Sequence, residues 1–97
     1  MKKLSVIIPT FNEENYIEKA IRSVRFADEI IVVDSFSSDK TVDIAKKSNC
    51  TVIQRQFDNF SNQKNFALQY ATAEWVLFID ADERIPFALK QEILDVI

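Results

Sequence analysis

The segment Ile30-Ile31-Val32-Val33-Asp34 is the most informative part of the chain, because an apolar, β-branched run ends abruptly in a carboxylate. Strands that are buried on both faces of a parallel sheet have this near-continuous apolar pattern. Residues 4–8 and residues 75–79 form two further runs of the same kind. The shorter run at residues 52–53 has polar neighbours, as expected of an edge strand. The sequence therefore predicts four strands.

Helical patterns lie between and after these runs, where apolar residues recur at spacings of three and four. The four sets are Ile17, Ala20, Ile21 and Val24; Val42 and Ala45; Phe66, Ala67, Tyr70 and Ala71; and, after Pro86, Leu89, Ile93 and Leu94. Ser37, Ser38 and Asp39 are the candidates for capping the second helix, with Asp39 preferred. The alternation predicts an α/β fold in a single domain over residues 1–97, with a mainly parallel four-stranded sheet and helices on both faces.

The composition excludes several classes of function. The 97 residues include no glycine and no histidine, and Cys50 is the single cysteine. Glycine-rich phosphate loops, histidine-based catalytic triads and histidine-ligated zinc sites are therefore excluded. A net charge of −3 without a block of basic residues argues against nucleic-acid binding. One cysteine and no apolar run of membrane-spanning length predict a cytoplasmic protein, which could also contact the inner face of the membrane.

Polar side chains follow the strands at the edge where open α/β sheets bind ligands, outside the carboxyl ends of the strands. They are Thr10, Asn12 and Glu13 after the first strand, Asp34 after the second, and Asp80 and Asp82 after the fourth. Because the strand interiors are apolar, this clustering predicts a polar ligand site at one edge of the sheet.

Asp80 and Asp82 are the strongest candidates for a metal site. Residues two apart in an extended segment point to the same side, so both carboxylates can face one ligand. A hard cation such as Mg²⁺ or Mn²⁺ prefers oxygen ligands and often joins protein carboxylates to a diphosphate. The alternative is structural, with Asp80 ending a strand and Asp82 capping the next helix.

Five other polar residues allow two interpretations each. Asp34 could accept hydrogen bonds from a ribose or a base, or could satisfy the backbone of its own turn. Thr10, Asn12 and Glu13 could contact a nucleotide or start the first helix. Lys64 could meet a base or a phosphate, or could be a solvated surface lysine.

Four segments of the chain, residues 4–14, 31–41, 63–68 and 75–83, follow one another in an order and at a spacing that identify a family. On these segments the chain resembles the family 2 glycosyltransferases, which have the GT-A fold. The segment around Lys64 together with Asp80-Ala81-Asp82-Glu83 looks most like the branch that adds glucose to lipopolysaccharide core or similar envelope glycans.

The resemblance implies a Rossmann-like GT-A half domain and assigns roles by position. Nucleotide-binding residues would be Pro9, Thr10, Glu13, Asp34, Lys64 and Asp80, with Asp34 and Lys64 at the base, which would be uracil. Asp82, with Asp80, would bind Mg²⁺ or Mn²⁺, which assists departure of the nucleoside diphosphate. Such enzymes usually invert at the anomeric carbon, and the general base would be a carboxylate beyond residue 97.

The chain departs from the family pattern in two respects. Glycines of the second segment are replaced, for example by Phe36 and Lys40, so that loop is expected to adopt conformations open to other residues. Phe36, Phe57 and Phe60 are expected to pack in the core or within loops. The chain also stops before the acceptor region, so we expect weak nucleotide binding, no turnover, and self-association through an exposed sheet edge.

The function predicted on this basis is transfer of a sugar from a nucleotide-sugar donor, a UDP-sugar, to a glycan or lipid-linked acceptor in envelope polysaccharide synthesis. One alternative is a non-catalytic nucleotide-binding module. Another is a phospho-acceptor receiver domain, which needs an acidic pair after its first strand and an aspartate after its third. Pro9-Thr10 and Gln54-Arg55 occupy those positions, which disfavours the receiver.

Overall fold

Strands and helices alternate along the whole described chain. The computed structural model describes residues 2–97. The strands are β1 (Leu4–Thr10), β2 (Glu29–Asp34), β3 (Thr51–Gln54) and β4 (Trp75–Phe78). The helices are α1 (Ile17–Ser23), α2 (Thr41–Lys47), α3 (Phe60–Leu68) and α4 (Phe87–Val96).

The four strands form one parallel sheet in the order β3-β2-β1-β4. Ile7, at the centre of β1, lies opposite Ile31 of β2 on one side and Phe78 of β4 on the other. The predicted parallel sheet is therefore confirmed, as is the edge position of β3. Connections run outward from β1 to β3 and then return to place β4 on the other side of β1.

The helices cover both faces of the sheet, as predicted. On one face, α1 packs its buried residues Ile17, Ala20 and Ile21 against the sheet, and α2 contributes Ala45. On the other face, α3 packs through Ala67. The change of face follows from the return connection, because a right-handed crossover in the opposite direction places its helix on the opposite face.

Two expectations about burial were wrong. The run at residues 75–79 was expected to form a strand buried on both faces, but β4 is an edge strand that ends at Phe78, and Trp75 is exposed. In α4 the apolar stripe is incomplete, because Ile93 packs against the core while Leu89 and Leu94 are exposed. Both differences arise because nothing in residues 2–97 covers the outer side of β4 or the outer face of α4.

The outer edge of β4 is not paired with another strand in residues 2–97, as self-association through the sheet edge would require. Self-association itself stays a prediction. In residues 2–97 no helix is long and apolar enough to cross a membrane.

Candidate functional site

A cleft of about 660 Å³ opens at the carboxyl end of the sheet, lined by residues that follow β1 and β4. The strand order reverses between these two strands, which is the point where open α/β sheets place their ligands. The cleft lining includes five of the seven predicted site residues: Pro9, Thr10, Glu13, Asp80 and Asp82. The fold thus brings together residues that are about seventy positions apart in the sequence.

Asp80 and Asp82 lie in a turn after β4, and not in the extended segment that was predicted. The Glu83 N–H donates to the Asp80 carbonyl oxygen at 2.9 Å, and the Asp80 N–H donates to the Glu83 carboxylate at 2.6 Å. Ala81 is buried while both aspartates are exposed, so the turn directs the aspartates outward together. Because α4 begins later, with Pro86 as its N-cap, the alternative that Asp82 caps this helix is wrong.

The loops that follow β1 and β2 are fastened to each other. The Asn12 N–H donates to Ser37 Oγ at 2.8 Å, and Asn12 Oδ1 accepts the Ser38 N–H at 2.8 Å. The N-cap of α1 is Tyr16, so Asn12 does not start that helix, as one interpretation had it. Asn12 instead has a left-handed backbone with φ of 52° and holds the neighbouring loop.

The same two loops are joined again beside the start of α2. The Glu13 N–H donates to Thr41 Oγ1 at 2.9 Å, while the Glu14 N–H donates to Asp39 at 3.2 Å. Partial burial acts to raise the pKa of Asp39, but hydrogen bonds from Thr41 and Glu14 outweigh it and hold this pKa below its ordinary value. Asp39 accepts the Thr41 N–H at 2.9 Å, although the N-cap residue itself is Lys40 and not Asp39 as expected. The backbone at Glu13 is therefore fixed next to the cleft.

Phe36 occupies a backbone conformation that favours glycine. Its φ is 61°, in the small left-handed region that residues other than glycine can also occupy. The expectation that Phe36 packs was wrong, because 57% of its surface is exposed. A residue with a side chain in the left-handed region costs about 1–2 kcal/mol, and such strain tends to be kept near functional sites.

Replacing Phe36 by glycine is expected to raise the free energy of unfolding by about 0.5–1 kcal/mol, since the relief of backbone strain exceeds the entropy that glycine loses on folding. Urea unfolding measures this change. Phe11→Gly is the matched control, because Phe11 is also 57% exposed but does not have a positive φ. This control is expected to lose stability, and equal behaviour of the two variants would contradict the assignment of strain to Phe36.

Asp34 lies beneath the cleft and does not line it. Its side chain is 0% exposed. One carboxylate oxygen accepts the Ser37 N–H at 2.8 Å and the Gln54 amide at 3.2 Å, and the other accepts the Ser37 hydroxyl. These bonds match the interpretation of Asp34 as an aspartate that satisfies its own turn. A direct contact between Asp34 and a nucleotide stays a prediction.

Lys64 also lies outside the cleft lining. It is exposed on α3, and its Nζ lies 5.4 Å from the centroid of the Phe78 ring, within the range of a cation–π contact. A contact between Lys64 and a bound base or phosphate stays a prediction.

Sequence reasoning missed three cleft residues on or beside α3. Phe57 and Phe60 were expected to pack in the core or within loops, and their rings do contact each other edge to face, with centroids 5.1 Å apart. Both side chains are nevertheless exposed and line the cleft. Gln63 was not singled out, yet it lines the cleft and is 5% exposed. The predicted helix began near Phe66, whereas α3 begins at Phe60. The signal that was missed is the cap residue Asn59, whose side chain accepts the Asn62 N–H at 2.8 Å.

The loop between β3 and α3 is held by a two-point ion pair. Arg55 donates to both carboxylate oxygens of Asp58, at 2.8 and 3.2 Å. The Arg55 guanidinium, with the Asn62 amide and the Asn59 N–H, holds the pKa of Asp58 well below its usual range. Arg55 also lies over the Phe66 ring, 5.4 Å from its centroid. This ion pair therefore fixes the loop that contains Phe57 and leads to Phe60, the two aromatic residues that line this part of the cleft.

The cleft carboxylates fit a cation that is shared with a second ligand. Within residues 2–97 there is no cluster of three or more ligating side chains, and the three ion pairs do not involve Asp80 or Asp82. These two unpaired carboxylates would therefore supply part of a coordination shell. Oxygen donors of this kind suit Mg²⁺ or Mn²⁺, which usually complete their shells with water and phosphate oxygens.

Known proteins resemble this chain over nearly its whole length. Residues 5–97 match the family described as Glycosyl transferase family 2. An uncharacterized glycosyltransferase of Rickettsia typhi is 47% identical over 94 residues, covering 96% of this chain and 32% of that protein. The poly(ribitol-phosphate) beta-N-acetylglucosaminyltransferase TarS of Staphylococcus aureus is 38% identical, covering 88% of this chain and 17% of TarS.

A solved structure gives the same result at the level of the fold. Glucosyl-3-phosphoglycerate synthase from Mycobacterium tuberculosis, in complex with Mn²⁺, uridine diphosphate and glucosyl-3-phosphoglycerate, superposes with a TM-score of 0.74. The two chains are 27% identical, and the match covers 86% of this chain and 36% of the synthase.

The likeness to solved glycosyltransferases places the parallel sheet, with its acidic cleft at the point where strand order reverses, in the GT-A class of α/β folds. Within this class, the chain belongs to the family 2 glycosyltransferases. It spans about a third of the length of the Rickettsia relatives it matches. The particular resemblance to lipopolysaccharide glucosyltransferases stays a prediction.

Proposed function

We propose that residues 1–97 form the N-terminal, donor-binding part of a metal-dependent glycosyltransferase. The donor is a nucleotide-sugar, a UDP-sugar, and the acceptor is a glycan or lipid-linked sugar of the cell envelope. The observation that carries this proposal is the pair of exposed carboxylates of Asp80 and Asp82, which make no ion pair within residues 2–97 and lie in the cleft between the ends of β1 and β4.

Two groups of cleft residues would share the binding of the nucleotide. Pro9, Thr10 and Glu13 lie on the β1 side, where the nucleoside would sit. Asp80 and Asp82 lie on the β4 side and would hold the divalent cation together with the diphosphate. When bound, this cation would neutralise negative charge on the departing nucleoside diphosphate. The uridine diphosphate and Mn²⁺ bound by the M. tuberculosis synthase support the choice of ligand and metal.

The contacts between the loops after β1 and β2 would favour nucleotide binding by ordering the backbone beside the cleft. Asn12, Glu13 and their partners across the loops fix the backbone on which the nucleoside rests, without a glycine-rich segment. Asp34 stabilises the same region from beneath through Ser37. A site whose loops are ordered before binding loses less entropy when the ligand arrives.

One relative is named for a polymeric acceptor. TarS of S. aureus is named for transfer of N-acetylglucosamine to poly(ribitol-phosphate). This name supports a polymeric acceptor for the present protein, although poly(ribitol-phosphate) is a polyol phosphate and not a glycan.

Calorimetric titration of uridine diphosphate in Mn²⁺ and in EDTA tests the proposal. We expect removal of the metal to weaken binding at least about tenfold, because the cation links protein carboxylates to the diphosphate. Uridine, which lacks the diphosphate, serves as the control ligand and should show no metal dependence. Equal affinities for uridine diphosphate with and without Mn²⁺ would contradict a metal-bridged donor site.

A further inference from the structure

We propose that Gln63 selects the nucleobase of the donor, favouring uracil over cytosine through its side-chain oxygen. This inference rests on the proposed function and adds to it the residue that determines base specificity. The residue belongs to α3, directly before Lys64, and is not itself one of the predicted nucleotide-binding residues.

Gln63 has a buried acceptor without a partner. Its side chain is 5% exposed, it lines the cleft, and within residues 2–97 its Oε1 has no hydrogen-bond donor. A buried polar atom left unsatisfied costs about 1–3 kcal/mol. A ligand that donates a hydrogen bond to this oxygen would therefore recover a cost already present in the free protein.

One end of the Gln63 amide contacts the residue that follows β2. Its Nε2 donates to Ser35 Oγ at 3.4 Å, which leaves Oε1 as the end without a partner in residues 2–97. Ser35 also lines the cleft, and its N–H donates to the Thr10 carbonyl oxygen at 2.9 Å. The hydroxyl that orients the amide is thus anchored to the end of β1.

An acceptor in this position discriminates between the two pyrimidines. Uracil carries an N–H at ring position N3, and this group can donate to Oε1. Cytosine carries a lone pair at the same position, which would face the lone pairs of Oε1. The acceptor Oε1 is paired when uracil is bound and unpaired when cytosine is bound. A buried polar group left unpaired by the wrong substrate is a strong source of discrimination.

Two neighbours of Gln63 complete a surface suited to a flat polar ring. Phe60 lies three residues earlier on α3, on the same side of the helix, and its largely exposed ring lines the cleft. Thr10 also lines the cleft, with a buried hydroxyl that has no partner in residues 2–97. This hydroxyl can donate to a base carbonyl while the Phe60 ring stacks on the base.

The carboxylate of Asp34, the residue predicted to hold the base, is already engaged with Ser37 and Gln54, and Asp34 does not line the cleft. Gln63 is also buried, but it lines the cleft and its Oε1 has no donor within residues 2–97. The geometry therefore favours Gln63 for reading the base.

Calorimetric titrations of uridine diphosphate and cytidine diphosphate in Mn²⁺ test this assignment. The wild-type protein is expected to prefer uridine diphosphate at least about tenfold, as one buried hydrogen bond gained or lost implies. In Gln63→Met, which keeps side-chain length but removes the acceptor, the preference is expected to disappear through loss of affinity for uridine diphosphate. Gln69→Met makes the same change at an exposed position after α3 and should keep the preference.

The other possible results also bear on the assignment of base selection to Gln63. If Gln63→Met does not fold, Ser35→Ala replaces it, because loss of the orienting hydroxyl should also reduce the preference. A preference retained in these variants, or equal or reversed affinities in the wild type, would overturn the role of Gln63. Metal-dependent binding that persists in those cases would leave the proposed function intact. Failure of the folded protein to bind either diphosphate in Mn²⁺ would overturn both.

Discussion

Replacing Asp82 by alanine is expected to weaken Mn²⁺-dependent binding of uridine diphosphate about 100-fold, or about 2.7 kcal/mol. Asp82 is exposed in the cleft and makes no ion pair within residues 2–97, so its carboxylate is available to a cation. Alanine has no oxygen ligand, so the variant loses the contact between the Asp82 carboxylate and the cation that bridges it to the diphosphate. Calorimetry of the two proteins under the same conditions measures the difference.

The metal dependence of this effect distinguishes it from damage to the fold. In EDTA the wild type and Asp82→Ala should bind uridine diphosphate with similar, weak affinity. Asp95→Ala removes an exposed carboxylate from α4, outside the cleft lining, and should leave binding unchanged. A variant at Asp82 that binds as tightly as the wild type in Mn²⁺ would exclude this side chain as a metal ligand.

Truncation of Ile8 to alanine is expected to destabilise the protein by about 2–5 kcal/mol, the range found when a large core side chain leaves a cavity. Ile8 is fully buried in the central strand β1, among the residues that pack under α1. Domains of this size are stable by only about 5–15 kcal/mol, so much of the stability would be lost. The midpoint of urea unfolding measures the change.

A graded pair of variants tests whether packing causes this loss. Ile8→Val removes one methylene group and should cost about 1 kcal/mol. Val96→Ala, at an exposed position of α4, should change stability by less than about 0.5 kcal/mol. Similar losses in all three variants would show that the buried face of β1 does not dominate the stability of the domain.

The sheet could be predicted from sequence because uninterrupted apolar runs indicate strands that are buried in a parallel sheet. Residues 30–33 are apolar without interruption, and β2 is paired on both sides. The burial of β4 could not be predicted in this way, because residues 75–79 are equally apolar. Whether such a strand lies at the centre or at the edge of the sheet depends on which strand the preceding connection places it beside. That position is a property of the whole fold.

The candidate site was predictable where a residue's position after a strand determines its location. Asp80 and Asp82 follow β4, and Thr10 ends β1, so the parallel arrangement brings them to one edge. Gln63 was missed because its place at the cleft depends on how α3 packs across the sheet. The partners of Asp34 were equally hidden, since Gln54 lies twenty residues away in the sequence.

Local conformation was the least predictable feature. Phe36 has a left-handed backbone although its side chain disfavours it. Three hydrogen bonds hold this turn: Asp34 accepts the Ser37 N–H, and across the two loops Asn12 donates to Ser37 Oγ and accepts the Ser38 N–H. Such contacts can override the preference of a single residue, and they cannot be read from its immediate neighbours.

The most direct test of a metal-bridged donor site is an NMR titration of the ¹⁵N-labelled protein with uridine diphosphate and Mn²⁺, with Mg²⁺ as the diamagnetic control. Mn²⁺ broadens the signals of nearby amides, so its position is observed in solution. We predict that Thr10, Ala81 and Asp82 broaden first, while Asp28, at the opposite end of the sheet, remains sharp. Broadening centred elsewhere, or weak and uniform over the protein, would contradict a metal site at Asp80 and Asp82.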